Sequence, residues 1–158
     1  MMERKDGRAC NAPRAHRFIP NFVSTAAGSC LIETGGTRVI CTASVEEGVP
    51  PFLRGKGCGW LTAEYAMLPG STQGRKARER NRTDSRSVEI QRLIGRSLRS
   101  VLDFGAFAGI SVNIDADVIE ADGGTRTASI TGGFLAMSLL FRKLLREGKI
   151  GIVTGLFM

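Results

Sequence analysis

A single histidine, His16, supplies all the imidazole in this chain of 158 residues, and its four cysteines form no C-x-x-C pair. Zinc is held by thiolates and imidazoles clustered at short spacing, so these parts argue against a zinc site. Cys30 and Cys41 lie in strand-like apolar stretches, where a thiol behaves as a small hydrophobe, and Cys10 and Cys58 also read as reduced and structural. His16 sits in the basic segment "PRAHRF" and reads as a surface or RNA-facing residue. Also missing is any run of about 18 uncharged apolar residues, which argues against a transmembrane helix. The opening "MMERKDGRACNAPRAHRF" is charged and lacks the apolar core of a secretory signal, so a cytoplasmic location is the default expectation. No internal repeat is visible. With 42% hydrophobic residues, the composition is that of a globular chain of one ordinary domain.

Acidic residues are outnumbered, 15 to 22, giving a formal net charge of +7. The excess is concentrated. Between Ser71 and Ser100, nine basic residues (Arg75, Lys76, Arg78, Arg80, Arg82, Arg86, Arg92, Arg96, Arg99) face only Glu79, Asp84 and Glu89. Such a segment reads either as a polyanion-binding surface or as a solvated basic loop without a partner. Nucleic acid is favoured over a membrane, because no amphipathic apolar face accompanies the loop.

Local patterning gives a coarse map. In "GSCLIETGGTRVICTASV", two apolar β-branched runs flank Gly35-Gly36, which predicts a hairpin of strands 28–34 and 37–45. "WLTAEYAML" is a third strand, ended by Pro69, and "PGSTQGRKARERNRTDSR" reads as an exposed loop. In "SVEIQRLIGRSLRSVLDF", Ile90, Leu93, Ile94, Leu98, Val101 and Leu102 recur at helical spacing, with Ser87 or Ser85 suited to cap the start. Glu89, Arg92, Arg96, Arg99 and Asp103 fall on the opposite stripe. "SVNIDADVI" alternates as a half-buried strand, with Val112, Ile114, Ala116 and Val118 on one face. "TASITGGFLAMSLLFRKLLREG" predicts a long helix ending near Gly148. Gly132 and Gly133 within it cost about 1 kcal/mol each against alanine, which implies close packing on a neighbour. The order is that of a mixed α/β domain.

The stretch "ADGGTRTASITGG", residues 121–133, joins the alternating strand to that helix. Gly123 and Gly124 allow close backbone approach, Thr125 and Thr127 add hydroxyls, and Arg126 adds a forked cation suited to phosphate oxygens. The helix that follows turns its positive end to the same place. The pattern matches neither G-x-x-x-x-G-K-[ST] nor G-x-G-x-x-G, so an anion cradle and a structural turn both remain open on spacing alone. Arg86 opens a helix, where a cation opposes the dipole unless a bound anion recruits it.

Taken together, "KDGR", "GSCLIETGGTRVICTASVEEGVPPFLRGKGCGWLTAEYAMLP", "SVEIQRLIGRSLRSVLD" and "IDADVIEADGGTRTASITGGFLA" resemble the ribonuclease PH family in one register from about Asp6 to Lys149. The resemblance is closer than that to polynucleotide phosphorylase or exosome relatives. It implies a two-layer α/β (α+β) fold like domain 2 of ribosomal protein S5, assembled as a hexameric ring. It implies a phosphate-dependent 3′→5′ exoribonuclease, a tRNA nucleotidyltransferase that trims tRNA precursors and releases nucleoside diphosphates. Inorganic phosphate would be the co-substrate, and RNA the partner.

By the same resemblance, the phosphate site falls on Arg86, Gly124, Thr125 and Arg126, with Arg86 and Arg126 as the catalytic cations. Arg75, Lys76, Arg78, Arg80 and Arg82 fall on the RNA-contacting loop. The sequence departs from the family at Gly70, where an arginine is usual, at Ser85 for a glycine and at Ala116 for a cysteine. Residues 1–149 form the family-like domain, and from residue 150 the tail "IGIVTGLFM" diverges from the usual continuation. That continuation carries the aspartates associated with Mg2+, and Asp115 and Asp117 belong to an earlier strand and do not replace them. The alternative expectation is therefore a shortened, non-catalytic RNA-binding or assembly subunit of the same family.

Overall fold

A computed structural model describes residues 4, 6–77 and 84–151. Five strands form one sheet: β1 (His16–Pro20), β2 (Gly28–Thr34), β3 (Thr37–Glu47), β4 (Trp60–Met67) and β5 (Ile110–Glu120), in the order β1-β2-β3-β5-β4. Only the β4–β5 pair is parallel, because helix α1 (Ser85–Arg99) forms the crossover between them. Helix α2 (Thr125–Arg146) follows β5 and packs on β2, β3 and β5, while α1 packs on β4 and on α2. The result is the expected two-layer α/β domain.

The alternation read from the sequence points where it should. Val112, Ile114, Ala116 and Val118 of β5 are buried beneath the helices, with Val39, Cys41 and Ala43 beside them on β3. Ile90, Ile94 and Leu98 of α1 and Ala136, Met137, Leu140 and Phe141 of α2 close the core from the other side. None of the four cysteines forms a disulfide. Burial raises the thiol pKa of both Cys30 and Cys41, which suits inert structural thiols.

Gly132 confirms the packing argument, since a Cβ there would sit 2.7 Å from Cys41 Sγ and 2.8 Å from Ile32 Cγ2. By length and composition α2 is the one helix among the described residues able to cross a membrane, yet half of that apolar window is buried within the fold. Its apolar length serves the sheet.

Three local expectations change, and one strand is new. The helix α1 is capped by Asp84, whose carboxylate accepts from the Arg86 N–H, and not by Ser85 or Ser87. It ends at Arg99, so Val101 lies outside it and is 39% exposed, while Leu102 reaches the core from the following turn. Arg99 does not point freely outward: its guanidinium lies 4.8 Å from the centre of the Trp60 ring. Strand β1 was not legible, because its mostly exposed residues show no alternation and it exists by pairing with β2.

Candidate functional site

The parallel pair β4–β5 sets the location. Where two parallel strands end, the chains leading to their next helices diverge and leave a crevice at the carboxyl ends. Here a pocket of about 590 Å³ opens beside the last residue of β4, Met67, and the first residue after β5, Ala121. Its wall is completed by Thr72, Lys76, Arg86, Gly123, Gly124, Thr125, Arg126 and Thr127. Four residues assigned from the sequence to one site, Arg86, Gly124, Thr125 and Arg126, are thus gathered around one space.

Two helix N-termini meet there. Gly124 is the N-cap of α2, with φ 71°, and it supplies no side-chain hydrogen bond to the first turn. Gly123 has φ 83°, so two successive left-handed residues turn the chain from β5 into α2, which is why glycines stand at both positions. The leading N–H groups of a helix have no intrahelical acceptor, and at α2 no cap supplies one. Arg86 is the second residue of α1, so its cation also stands at the positive end of a helix dipole. Among the described residues it makes no side-chain hydrogen bond or ion pair. An uncompensated guanidinium and open amides lining one pocket make an anion the guest that the physics favours.

Some side chains are committed otherwise than the sequence suggested. The helix α2 starts at Thr125, two residues before the expected Thr127, so Thr125 and Arg126 are helical. Thr125 is 6% exposed, and its Oγ1 accepts a 3.0 Å hydrogen bond from the Tyr65 hydroxyl. Thr127 Oγ1 donates back to the Gly124 carbonyl at 2.9 Å, so its hydroxyl proton is used locally. Arg126 is paired with Glu89 of α1, Nη2 to Oε2 at 2.6 Å.

Of the basic loop, Lys76 enters the pocket wall, with Nζ 3.9 Å from Asp84 Oδ2 and 3.7 Å from Met67 Sδ. Arg75 is exposed and outside that wall, and Arg78, Arg80 and Arg82 lie outside the described residues.

Sequence reasoning missed the groups behind the glycines. Thr37 Oγ1 donates to the Gly123 carbonyl at 2.6 Å and accepts from the Asp122 N–H at 2.9 Å. Arg14 Nη1 donates to the carbonyls of Asp122 and Gly123 at 2.7 and 3.1 Å. No sequence signal marks either residue, since each lies more than eighty positions from its partners.

For the Mg2+ that the family resemblance implies, the described residues hold no group of three or more His, Cys, Asp or Glu side chains able to take a metal ion. They do not fit that role.

Residues 13–141 match the 3′ exoribonuclease family, domain 1. Curated relatives named ribonuclease PH from Syntrophomonas wolfei and from Neisseria meningitidis serogroup C are each 54% identical, over 151 and 143 residues. A third, from Crocosphaera subtropica, is 53% identical over 148 residues. These matches take in 94%, 89% and 94% of this chain but only 63%, 59% and 62% of the relatives' own lengths. Among solved structures, the Archaeoglobus fulgidus exosome with RNA bound to the active site superposes with a TM-score of 0.75 at 23% identity. It covers 97% of this chain and 61% of that one. An archaeal exosome core gives 0.71 at 24% identity, covering 87% and 53%. At such identities the likeness concerns the fold, and it agrees with the ribosomal protein S5 domain 2-like arrangement of sheet and helices. With most of its length matched by the family and over half its residues shared with ribonuclease PH proteins, the chain belongs to the 3′ exoribonuclease family, through domain 1 of its ribonuclease PH type.

Proposed function

We propose that this chain carries the phosphate and RNA-binding part of a phosphate-dependent 3′→5′ exoribonuclease that trims tRNA precursors. One observation carries the reading: Arg86, Arg126 and the open amides at the start of α2 line the same pocket. Inorganic phosphate held there would be neutralised by the two guanidiniums and oriented by the amides, which lowers its repulsion from an anionic diester. A phosphate oxygen attacks the phosphorus of the terminal linkage, and the bond to the penultimate 3′ oxygen breaks. The last nucleotide leaves as a nucleoside diphosphate, and the shortened RNA keeps a 3′ hydroxyl after taking up a proton. Arg126 and Arg86 are the catalytic cations of this scheme, with Gly124 and Thr125 completing the phosphate site. Arg75 and Lys76, with Arg78, Arg80 and Arg82, would hold the RNA backbone by sequence-independent phosphate contacts.

Assembly as a hexameric ring and a cytoplasmic location belong to the same proposal, supported by the relatives' family and by the buried thiols of Cys30 and Cys41, which suit a reducing compartment. A second reading, a non-catalytic RNA-binding or assembly subunit, is favoured by the lack of a metal-holding group among the described residues. Incubating the chain with a tRNA precursor and magnesium, with and without inorganic phosphate, separates the two. Nucleoside diphosphates that form only with phosphate establish the enzyme. A folded chain that binds RNA and releases none is the binding subunit.

A further inference from the structure

We infer that Arg14 and Thr37 are positioning residues for the anion pocket: they hold the Asp122-Gly123-Gly124 peptides so that the Gly123 and Gly124 N–H groups face the bound anion. The inference rests on the anion-binding reading of that pocket and deepens it by naming what sets its geometry.

In a trans peptide the carbonyl and the following N–H point in opposite directions. Fixing the carbonyls of Asp122 and Gly123 therefore aims the N–H groups of Gly123 and Gly124 the other way. Three hydrogen bonds fix those carbonyls: Arg14 Nη1 at 2.7 and 3.1 Å, and Thr37 Oγ1 at 2.6 Å to Gly123. Thr37 also accepts from the Asp122 N–H at 2.9 Å, so one hydroxyl clasps both ends of the Asp122-Gly123 unit. Thr37 is fully buried and Arg14 half-buried, and neither belongs to the pocket wall, whereas both glycines do. The clasp thus lies behind the loop and the pocket in front of it. Among the described residues neither glycine N–H has a backbone acceptor.

The β2–β3 turn lies close against the clasp. A Cβ on Gly35 would meet Arg14 Cδ at 3.1 Å, and one on Gly36 would meet Asp122 Cβ at 3.0 Å. A cation bonded to these carbonyls also polarises the peptides and makes their N–H groups better donors toward negative charge. Without the clasp, two successive glycines are the most conformationally free stretch a chain can have, and the amides would meet an anion only after paying that entropy.

The test measures binding of inorganic phosphate to the intact chain by calorimetry, with melting curves for every variant. Wild type binds, and Arg126→Ala, which removes a cation of the pocket itself, binds about tenfold to a hundredfold more weakly. Arg14→Ala and Thr37→Val each weaken binding about tenfold, the worth of one hydrogen bond to a charged partner, while Thr37→Ser, which keeps the hydroxyl, restores it. In the amide spectrum of wild type, added phosphate moves the Gly123 and Gly124 signals, and in Arg14→Ala it leaves them in place. Phosphate affinity unchanged in a folded Arg14→Ala, with Arg126→Ala still weakened, overturns the positioning role and spares the pocket. Wild type that binds no phosphate overturns the anion reading, and the inference falls with it. Should Arg14→Ala fail to fold, the Thr37→Val and Thr37→Ser pair decides: equal affinity in both overturns the inference.

Discussion

The Arg126 guanidinium lies 2.6 Å from the Glu89 carboxylate, tying the first turn of α2 to the first turns of α1 across the mouth of the pocket. Both side chains are about half exposed, at 44% and 53%. A pair of this kind contributes about 0–1 kcal/mol to stability, so its interest lies in competition. Glu89 occupies donors of Arg126 that a phosphate would otherwise use. Glu89→Gln is expected to tighten inorganic phosphate binding several-fold while leaving the melting temperature within a few degrees. Weaker binding in a folded Glu89→Gln would mean that the carboxylate holds Arg126 in place for the anion.

The two cations should act on binding and hardly on folding. Each of Arg86→Ala and Arg126→Ala removes charge-assisted hydrogen bonds of about 1.5–3 kcal/mol, so phosphate affinity should fall by about tenfold to a hundredfold. Both side chains are exposed, so cooperative melting should persist in each. Phosphate binding that survives both substitutions would remove these residues from the site.

RNA affinity should depend steeply on salt. Each lost phosphate contact is expected to reduce the slope of log affinity against log salt by about 0.7 for single-stranded RNA. Arg75→Ala and Lys76→Ala are therefore compared by titration at several salt concentrations. Lys76→Ala should also weaken inorganic phosphate binding, because Lys76 lines the pocket, whereas Arg75→Ala should not. Identical behaviour of the two would contradict the division seen in the structure.

On the sheet face away from the helices, Glu64 stands opposite Asp115 in the β4–β5 register, and Asp117 follows two residues on. Burial first, then the Glu64 charge, raises the carboxyl pKa of both aspartates, with Asp117 adding to the shift at Asp115 and a hydrogen bond from Thr42 opposing it. A raised carboxyl pKa means that the folded state holds its proton more tightly than the unfolded chain does. That stabilisation is complete below the ordinary value of 3.8 and is lost as pH rises through the raised values. Above the raised values both groups are charged at a cost, so Asp117→Asn should melt higher than wild type there. The difference should close as pH is lowered through the raised values, in melts followed by circular dichroism. A gap that is constant with pH would show that titration of Asp117 is not its source.

Gly132→Ala should destabilise despite alanine's better helix propensity. The added methyl would lie 2.7 Å from Cys41 Sγ and 2.8 Å from Ile32 Cγ2, both in strands of the core. Overpacking costs about 1–3 kcal/mol, which exceeds the roughly 1 kcal/mol gained from propensity. A higher melting temperature would show that β2 and β3 yield to α2 more easily than their burial suggests.

Elements whose signals are local are legible in the chain without its fold. The Gly35-Gly36 turn between β-branched runs, the helical recurrence of Ile90, Ile94 and Leu98, and the alternation of Val112, Ile114, Ala116 and Val118 each lie within a short window. Backbone sterics and burial can be read over such a window. The residue types at Gly123, Gly124 and Arg126 likewise announced a close approach of backbone and a place for an anion. Tertiary structure decided everything that depends on distant partners. Strand β1 exists because β2 offers it an edge, Lys76 turns into the pocket while Arg75 stays outside, and Arg126 finds Glu89 on another helix. Arg14 and Thr37 reach Asp122 and Gly123 across more than eighty residues of chain. Those contacts form only once the sheet has brought the β2–β3 turn against the end of β5, and no periodicity in the chain encodes a meeting at that distance.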